Sequence, residues 1–210
     1  MGCFIVPIKR HPGLKRKYMT KENNQPLPNA YVEIDQATKN CGFNMASDIL
    51  TCSLLRTLAG TKPGGKFLEL GTGTGLSTAW ILDGMDQNAT LVSIDNDPNF
   101  LGIAMEYLGE DSRLELVETD GGVWVGKNLS RKFDYIFADT WHGKYLLLEE
   151  VLSMLNPGGL YIIDDMLPQD NWPEGHQEKA EKLVSFLENR GDLFLTKQHW
   201  ATGIVICVKR

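Results

Sequence analysis

The segment Phe67-Leu-Glu-Leu-Gly-Thr-Gly-Thr-Gly-Leu-Ser77 constrains this chain more than any other. An apolar strand runs straight into three alternating glycines, and these open onto an apolar helical stretch from Leu76 to Gly84. Such a junction begins a βαβ unit, in which ligands bind beyond the carboxyl ends of the strands. Glycines there let the backbone take positive φ and approach a ligand closely. The alternation continues downstream. Strands are predicted at Lys66–Leu70, Leu91–Asp95, Leu114–Glu118, Phe133–Ala138 and Leu160–Ile163. Helices are predicted at Leu76–Gly84, Pro98–Leu108, Val123–Leu129, Tyr145–Leu155 and Glu174–Asn189. Leu193–Thr196 and Ile204–Val208 close the chain with too short a link for a helical crossover, so one of them runs antiparallel. The pattern is that of an α/β Rossmann-like fold: a mostly parallel seven-stranded sheet, an antiparallel C-terminal strand and helices on both faces.

Ahead of this unit, apolar residues from Met45 to Leu58 fall at helical spacing, with Ser47 placed to cap that helix. Asn23–Asn29 is turn-rich and reads as a linker. The chain therefore divides into a basic arm, 1–29, and one domain, 30–210. Lys9, Arg10, Lys15, Arg16, Lys17 and Lys21 make the arm either a solvated tail or a patch for an anionic partner such as RNA. The whole chain is acidic, with 21 basic and 27 acidic side chains and a net charge of −6, which argues against duplex DNA as a partner. Cys3, Cys41, Cys52 and Cys207 form no C-x-x-C pair and read as free thiols of a reducing cytosol. No apolar run approaches the ~18 residues of a membrane span, and the first residues are too short a stretch for a signal peptide.

Acids mark the ends of the predicted strands. Glu69, beside the glycines, would repel a pyrophosphate and suits a cationic ligand; S-adenosylmethionine carries a sulfonium and an ammonium. The spacing G-x-G-x-G also differs from the dinucleotide G-x-G-x-x-G. Asp95, about 20 residues beyond the glycines, is placed to accept from ribose hydroxyls, while Asp97 before Pro98 reads as a helix cap. Asp120 either accepts from an adenine amino group or caps the next helix. Asp139, Asp164 and Asp165 end adjacent strands. Carboxylates gathered there repel one another unless protonated or bridged by a cation, so they either hold Mg²⁺ or a similar hard ion or divide between a cap and solvent.

Residues from about 40 to 208 resemble the small S-adenosylmethionine-dependent O-methyltransferases of the catechol and caffeoyl-CoA type. The resemblance rests on Leu68-Glu-Leu-Gly-Thr-Gly-Thr-Gly-Leu-Ser77, Ser93-Ile-Asp95, Ile136-Phe-Ala-Asp139 with Tyr145 downstream, Gly158-Gly-Leu-Tyr-Ile-Ile-Asp164-Asp165, and Asn44-Met45-Ala-Ser47. It implies that Glu69, Gly71 and Ser77 contact the methionine part of the cofactor, that Asp95 holds the ribose, and that Asp120, Gly121 and Trp141 surround the adenine. Met45, Ser47, Thr72, Gly73, Asn96 and Asp139 complete the implied cofactor site. It also implies a divalent metal on Asp139, Asp164 and Asp165, and a small hydroxylated molecule as methyl acceptor; relatives of this kind often form homodimers. Two positions depart from the family pattern. Residue 165 is Asp where the family has Asn, and residue 142 is His where the family has its catalytic Lys. His142 is thus either a general base, acting beside a metal on Asp139, Asp164 and Asp165 or alone if none binds, or a side chain at the surface or behind the site. Asp164–His176, including Trp172, Pro173 and Glu174, is expected to wall the acceptor site. Two further readings are a tRNA-modifying methyltransferase, supported by the basic arm, and a nucleotide-cofactor oxidoreductase on the same kind of sheet.

Overall fold

The computed structural model describes residues 26–169 and 172–210. The basic run at 9–21 and Cys3 lie outside the described residues. Helices α1 (Tyr31–Cys41) and α2 (Ile49–Ala59) precede β1 (Lys66–Leu70) and α3 (Leu76–Gly84). There follow β2 (Thr90–Asp95), α4 (Pro98–Leu108), β3 (Leu114–Glu118), α5 (Gly121–Asn128), β4 (Phe133–Ala138), α6 (Leu148–Ser153), β5 (Leu155–Ile163), α7 (His176–Glu188), β6 (Leu193–Gln198) and β7 (Ile204–Lys209). The seven strands form one sheet in the order β3-β2-β1-β4-β5-β7-β6. The first five run parallel to one another, and β7 is antiparallel to both β5 and β6. The expected fold class and its reversed C-terminal strand are both observed.

Period-two alternation sorts the side chains of β1. Leu68 and Leu70 face the layer built from Trp124 and Val125 of α5, Val151 and Leu152 of α6, and Leu183 and Leu187 of α7. Phe67 faces the opposite layer, with Ile34 of α1, Leu55 of α2, Ile81 of α3 and Leu108 of α4. Helix α3 is apolar on almost every side because it is wedged between α1, α2 and the sheet. The chain runs outward from β1 to β3 under one helical layer, then crosses to β4 on the other side of β1. That reversal is the switch point at which a cleft opens above the strand ends.

The elements differ from expectation in four places. Helix α1 carries no strong sequence signal and is held by burial of Ile34 and Thr38. Helix α2 begins at Ile49, and its cap is Asp48, which accepts from the N–H groups of Leu50 and Thr51, rather than Ser47. The expected helix Tyr145–Leu155 shrinks to Leu148–Ser153, because residues 139–147 form a folded loop. Strand β5 starts at Leu155, which pairs with Phe133 before the Asn156-Pro-Gly-Gly159 turn; the register resumes where Leu160 meets Tyr135.

Candidate active site

The glycine turn is tied down by its own chain. Gly71 N and Thr72 N both donate to Ile94 O (2.9 and 3.2 Å), Gly73 N donates to Asp95 Oδ2 (2.7 Å), and Gly75 N donates to Thr72 O (2.9 Å). In a dinucleotide-binding loop, backbone N–H groups are aimed at the pyrophosphate. Here they are spent on β2 and on the turn itself, which argues against the oxidoreductase reading. Gly71 has φ +103°, and a Cβ there would lie 2.9 Å from the Asp139 carbonyl oxygen. Glycine therefore lets the end of β1 pack against the end of β4. Gly73 has φ +51°, and its missing Cβ leaves room for the Phe43 ring at 3.0 Å.

A cleft of about 780 Å³ opens over this turn, within the ~300–1,000 Å³ of ligand pockets. Met45, Ser47, Gly71, Thr72, Gly73, Ser77, Asp95, Asn96, Asp120, Gly121, Asp139 and Trp141 line it, as do His142, Asp164 and Asp165. Glu69 does not. Period two puts Glu69 on the same side of β1 as Phe67, beneath the start of α3, with no exposed surface. Its Oε1 accepts from Ser77 (2.6 Å) and its Oε2 from Thr78 (2.6 Å) and Ser93 (2.5 Å). Burial pushes its carboxyl up to about 7, against the pull of those three hydroxyls. Glu69 is a clamp joining β1, β2 and α3, and the cationic-ligand role expected of it is not supported.

Asp95 is shared between the protein and the cleft: Oδ2 takes the Gly73 N–H and Oδ1 the Asp97 N–H (2.9 Å). Asp97 caps α4 through the N–H groups of Asn99 and Phe100, as expected. Asp120 resolves its alternative as a cap, accepting from Val123 N (2.9 Å), and it still edges the cleft. His142 stands beside it. Its Nε2 is 3.9 Å from Asp120 Oδ1, and Gly121 and Gly122 lie beneath its ring. Among the described residues no hydrogen bond or ion pair joins His142 to Asp139, Asp164 or Asp165. The structure therefore separates the base expected at 142 from the acids it was expected to serve.

Lys144 is at those acids instead. The loop after β4 curls so that Trp141 O accepts from the N–H groups of Lys144 (3.2 Å), Tyr145 (2.9 Å) and Leu146 (3.0 Å). The Tyr161 hydroxyl donates to Gly143 O and pins the bend. This returns Lys144 Nζ to within 3.1 Å of Asp139 Oδ1 and 3.7 Å of Asp165 Oδ2. Burial pulls the Lys144 ammonium down, but Asp139, Asp165 and Asp164 more than offset it and hold its pKa above the ordinary value. Ser47 Oγ donates to the other Asp139 oxygen (3.1 Å). Asp164 is buried and accepts from Thr202 Oγ1 (2.5 Å) and Asp165 N (2.8 Å); burial and the neighbouring acids push it upward. Asp165 sits in the left-handed region at φ 59°, and burial raises it too. Among the described residues no group of three or more His, Cys, Asp or Glu is arranged to hold a metal ion. The donor set does not fit the metal that the resemblance implies, because an ammonium lies between two of the three acids.

The expected acceptor wall is partly present. Trp172, Pro173 and His176 line the cleft; Glu174 does not, and residues 170 and 171 lie outside the described residues. Trp141 turns edge-on to Tyr145 and His176 (centroids 5.6 and 5.8 Å), and Trp172 packs on His176 at 4.4 Å. Tyr145 Oη and His176 Nε2 are 3.2 Å apart, while His176 Nδ1 is buried with no partner among the described residues. Lys144, Phe43, Phe100 and Thr202 are site residues absent from the sequence reading. For Lys144 a signal existed: a lysine five residues after a strand-end acid.

A family model described as a methyltransferase domain matches residues 68–166, from the glycine turn through the paired acids of β5. The matched segment is a little under half of the chain. A Mycobacterium avium (strain 104) protein provisionally named an O-methyltransferase is 30% identical to this chain over 118 residues, which is 53% of this chain and 51% of the relative. Catechol O-methyltransferase B of Danio rerio is 29% identical over 112 residues, 49% of this chain and 42% of its own. The chain thus spans about half the length of the curated relatives it matches. A Bacillus cereus O-methyltransferase solved with SAH shares the fold of this chain at a TM-score of 0.77, covering 88% of this chain and 92% of that one at 18% identity. The three described cysteines, Cys41, Cys52 and Cys207, are free thiols. No helix among the described residues is long and apolar enough to cross a membrane.

Proposed function

We propose that this chain is a methyltransferase that moves the methyl group of S-adenosylmethionine to a hydroxyl of a small acceptor. The observation that carries the reading is the cleft at the switch point. It joins a turn with no phosphate cradle, a ribose-type acid at Asp95 and a cluster of strand-end acids under an aromatic wall. The donor set fits the cofactor. Asp95 retains acceptor capacity for two ribose hydroxyls beyond its two backbone bonds. Gly121, His142 and Phe100 offer a flat, partly apolar seat beside Asp120 for adenine. The relatives named as O-methyltransferases, and the solved neighbour holding SAH, support the same assignment.

When bound, the cofactor supplies the electrophilic methyl carbon. The chain's own residues orient the acceptor and take up its proton. Trp141, Tyr145, Trp172 and His176 suit a small planar acceptor and keep water from its face. Asp139, fixed by Ser47 and by its own N–H on Leu70 O, is the carboxylate assigned to orient the acceptor hydroxyl and draw off its proton as the oxygen–carbon bond forms.

The deciding measurement is the melting temperature with S-adenosylhomocysteine. A ligand at ~100 times its Kd adds about 2.7 kcal/mol, or roughly 5–10 °C in a domain of this size. No shift removes the cofactor assignment. Asp139→Asn should then keep that shift while cutting turnover by ~10²-fold or more, read with radiolabelled cofactor and a panel of phenolic acceptors. Equal loss of binding and turnover would place Asp139 in the cofactor site alone.

A further inference from the structure

A lysine ammonium is rarely buried unless it is paired, because desolvation of its charge is costly. Lys144 is 5% exposed, and everything around it fixes its place. The loop bonds on Trp141 O set its backbone, and the Tyr161 hydroxyl holds the preceding residue. Its Nζ lies between Asp139 at the end of β4 and Asp165 beyond β5. Two more carboxylate oxygens of the cluster are partnered from within the protein: Asp139 Oδ2 by Ser47, and Asp164 Oδ1 by Thr202 and the Asp165 N–H. A divalent ion entering here would have to displace the ammonium or sit against it, at unfavourable Coulomb energy in a low-dielectric site. The acid at 165 has its partner in the same ammonium.

We propose that Lys144 is the resident cation of this cleft: its ammonium fills the place between Asp139 and Asp165 that a divalent metal would need, and it presents its positive charge to the acceptor oxygen. The statement about the acceptor oxygen rests on the methyl-transfer reading; the statement about the cation does not.

The full chain is titrated with Mn²⁺ alone, following the magnetic-resonance signal of the free ion, and melted in Mg²⁺ and in EDTA. Wild type should leave the Mn²⁺ signal undiminished and melt at the same temperature in both solutions. Lys144→Ala, which leaves the carboxylates unpaired, should bind Mn²⁺ at least ~10-fold more tightly than wild type and be stabilised by it. Lys144→Met fills more of the same volume without charge and should behave alike where the alanine variant folds poorly. Stoichiometric Mn²⁺ uptake by wild type, or its destabilisation by EDTA, overturns the proposal without recourse to either variant. Equal silence of wild type and folded variants overturns it as well, since the acids would then be no cation site. S-adenosylhomocysteine binding, measured on the same samples, reports separately on the methyl-transfer reading.

Discussion

His142 and Lys144 stand two residues apart and serve opposite ends of one cleft. The bend at Gly143 sends the imidazole toward Asp120 and the ammonium back onto Asp139. Counting from Asp139 in the sequence points to residue 142 for the basic group, because a linear spacing carries no information about which way a folded loop turns its side chains. The consequence is testable. His142→Ala should weaken S-adenosylhomocysteine binding by ~3–10-fold, about 0.7–1.4 kcal/mol, through loss of contact at the adenine end. The pH profile of kcat should keep its shape. A changed profile would return His142 to the proton transfer. Asp165 shows the same limit of linear reading. Its charge and place at a strand end are evident in the sequence, but its left-handed backbone comes from the neighbouring turn, where Met166 N donates to Gly203 O and Leu167 N to Thr202 O.

Among the elements, the junction of β1, β2 and α3 depends on Glu69. Folded Glu69 titrates near 7, against an ordinary value of 4.5. Between those values the folded chain keeps a proton that the unfolded chain has released. The stability tied to that proton is complete below about pH 4.5 and is lost as pH rises through 7, a change of about 3 kcal/mol. Asp164, also pushed up by burial, adds a slope of the same sign. Urea midpoints should therefore fall from ~pH 5 to ~pH 7.5, and Glu69→Gln should flatten the fall while leaving the fold intact. An unchanged slope would mean that Glu69 stays ionised inside its three hydroxyls. At the start of α4 the expectation is simpler. Asp97→Ala removes a cap that was legible from Asp-Pro alone and should cost ~1 kcal/mol, or ~2–4 °C in melting temperature. Capping failed as a guide at α2, where Ser47 and Asp48 both qualify. Asp48 caps, and Ser47 is drawn to Asp139, 92 residues away, a contact that no local signal encodes.

For the molecule as a whole, β4 is the hinge of the architecture. It lies between β1 and β5, separates the two helical layers and delivers Asp139 to the cleft. Phe137 on this strand has no exposed surface, so Phe137→Ala should cost ~3–5 kcal/mol and lower the urea midpoint sharply. Phe194 on the edge strand β6 is 60% exposed, and Phe194→Ala should stay within ~0.5 kcal/mol of wild type. A large loss at Phe194 would show that β6 is covered by something beyond this chain's own core. The strands, most helices and the acids at the strand ends follow from the sequence by itself, because alternation, periodicity and turn glycines act over a few residues. The sheet order, the inward turn of Glu69 and the meeting of Lys144 with Asp139 and Asp165 were decided only in the tertiary structure. Those features depend on which faces become buried together and on where a loop must bend to satisfy its backbone, and both are set by contacts between residues far apart in the chain.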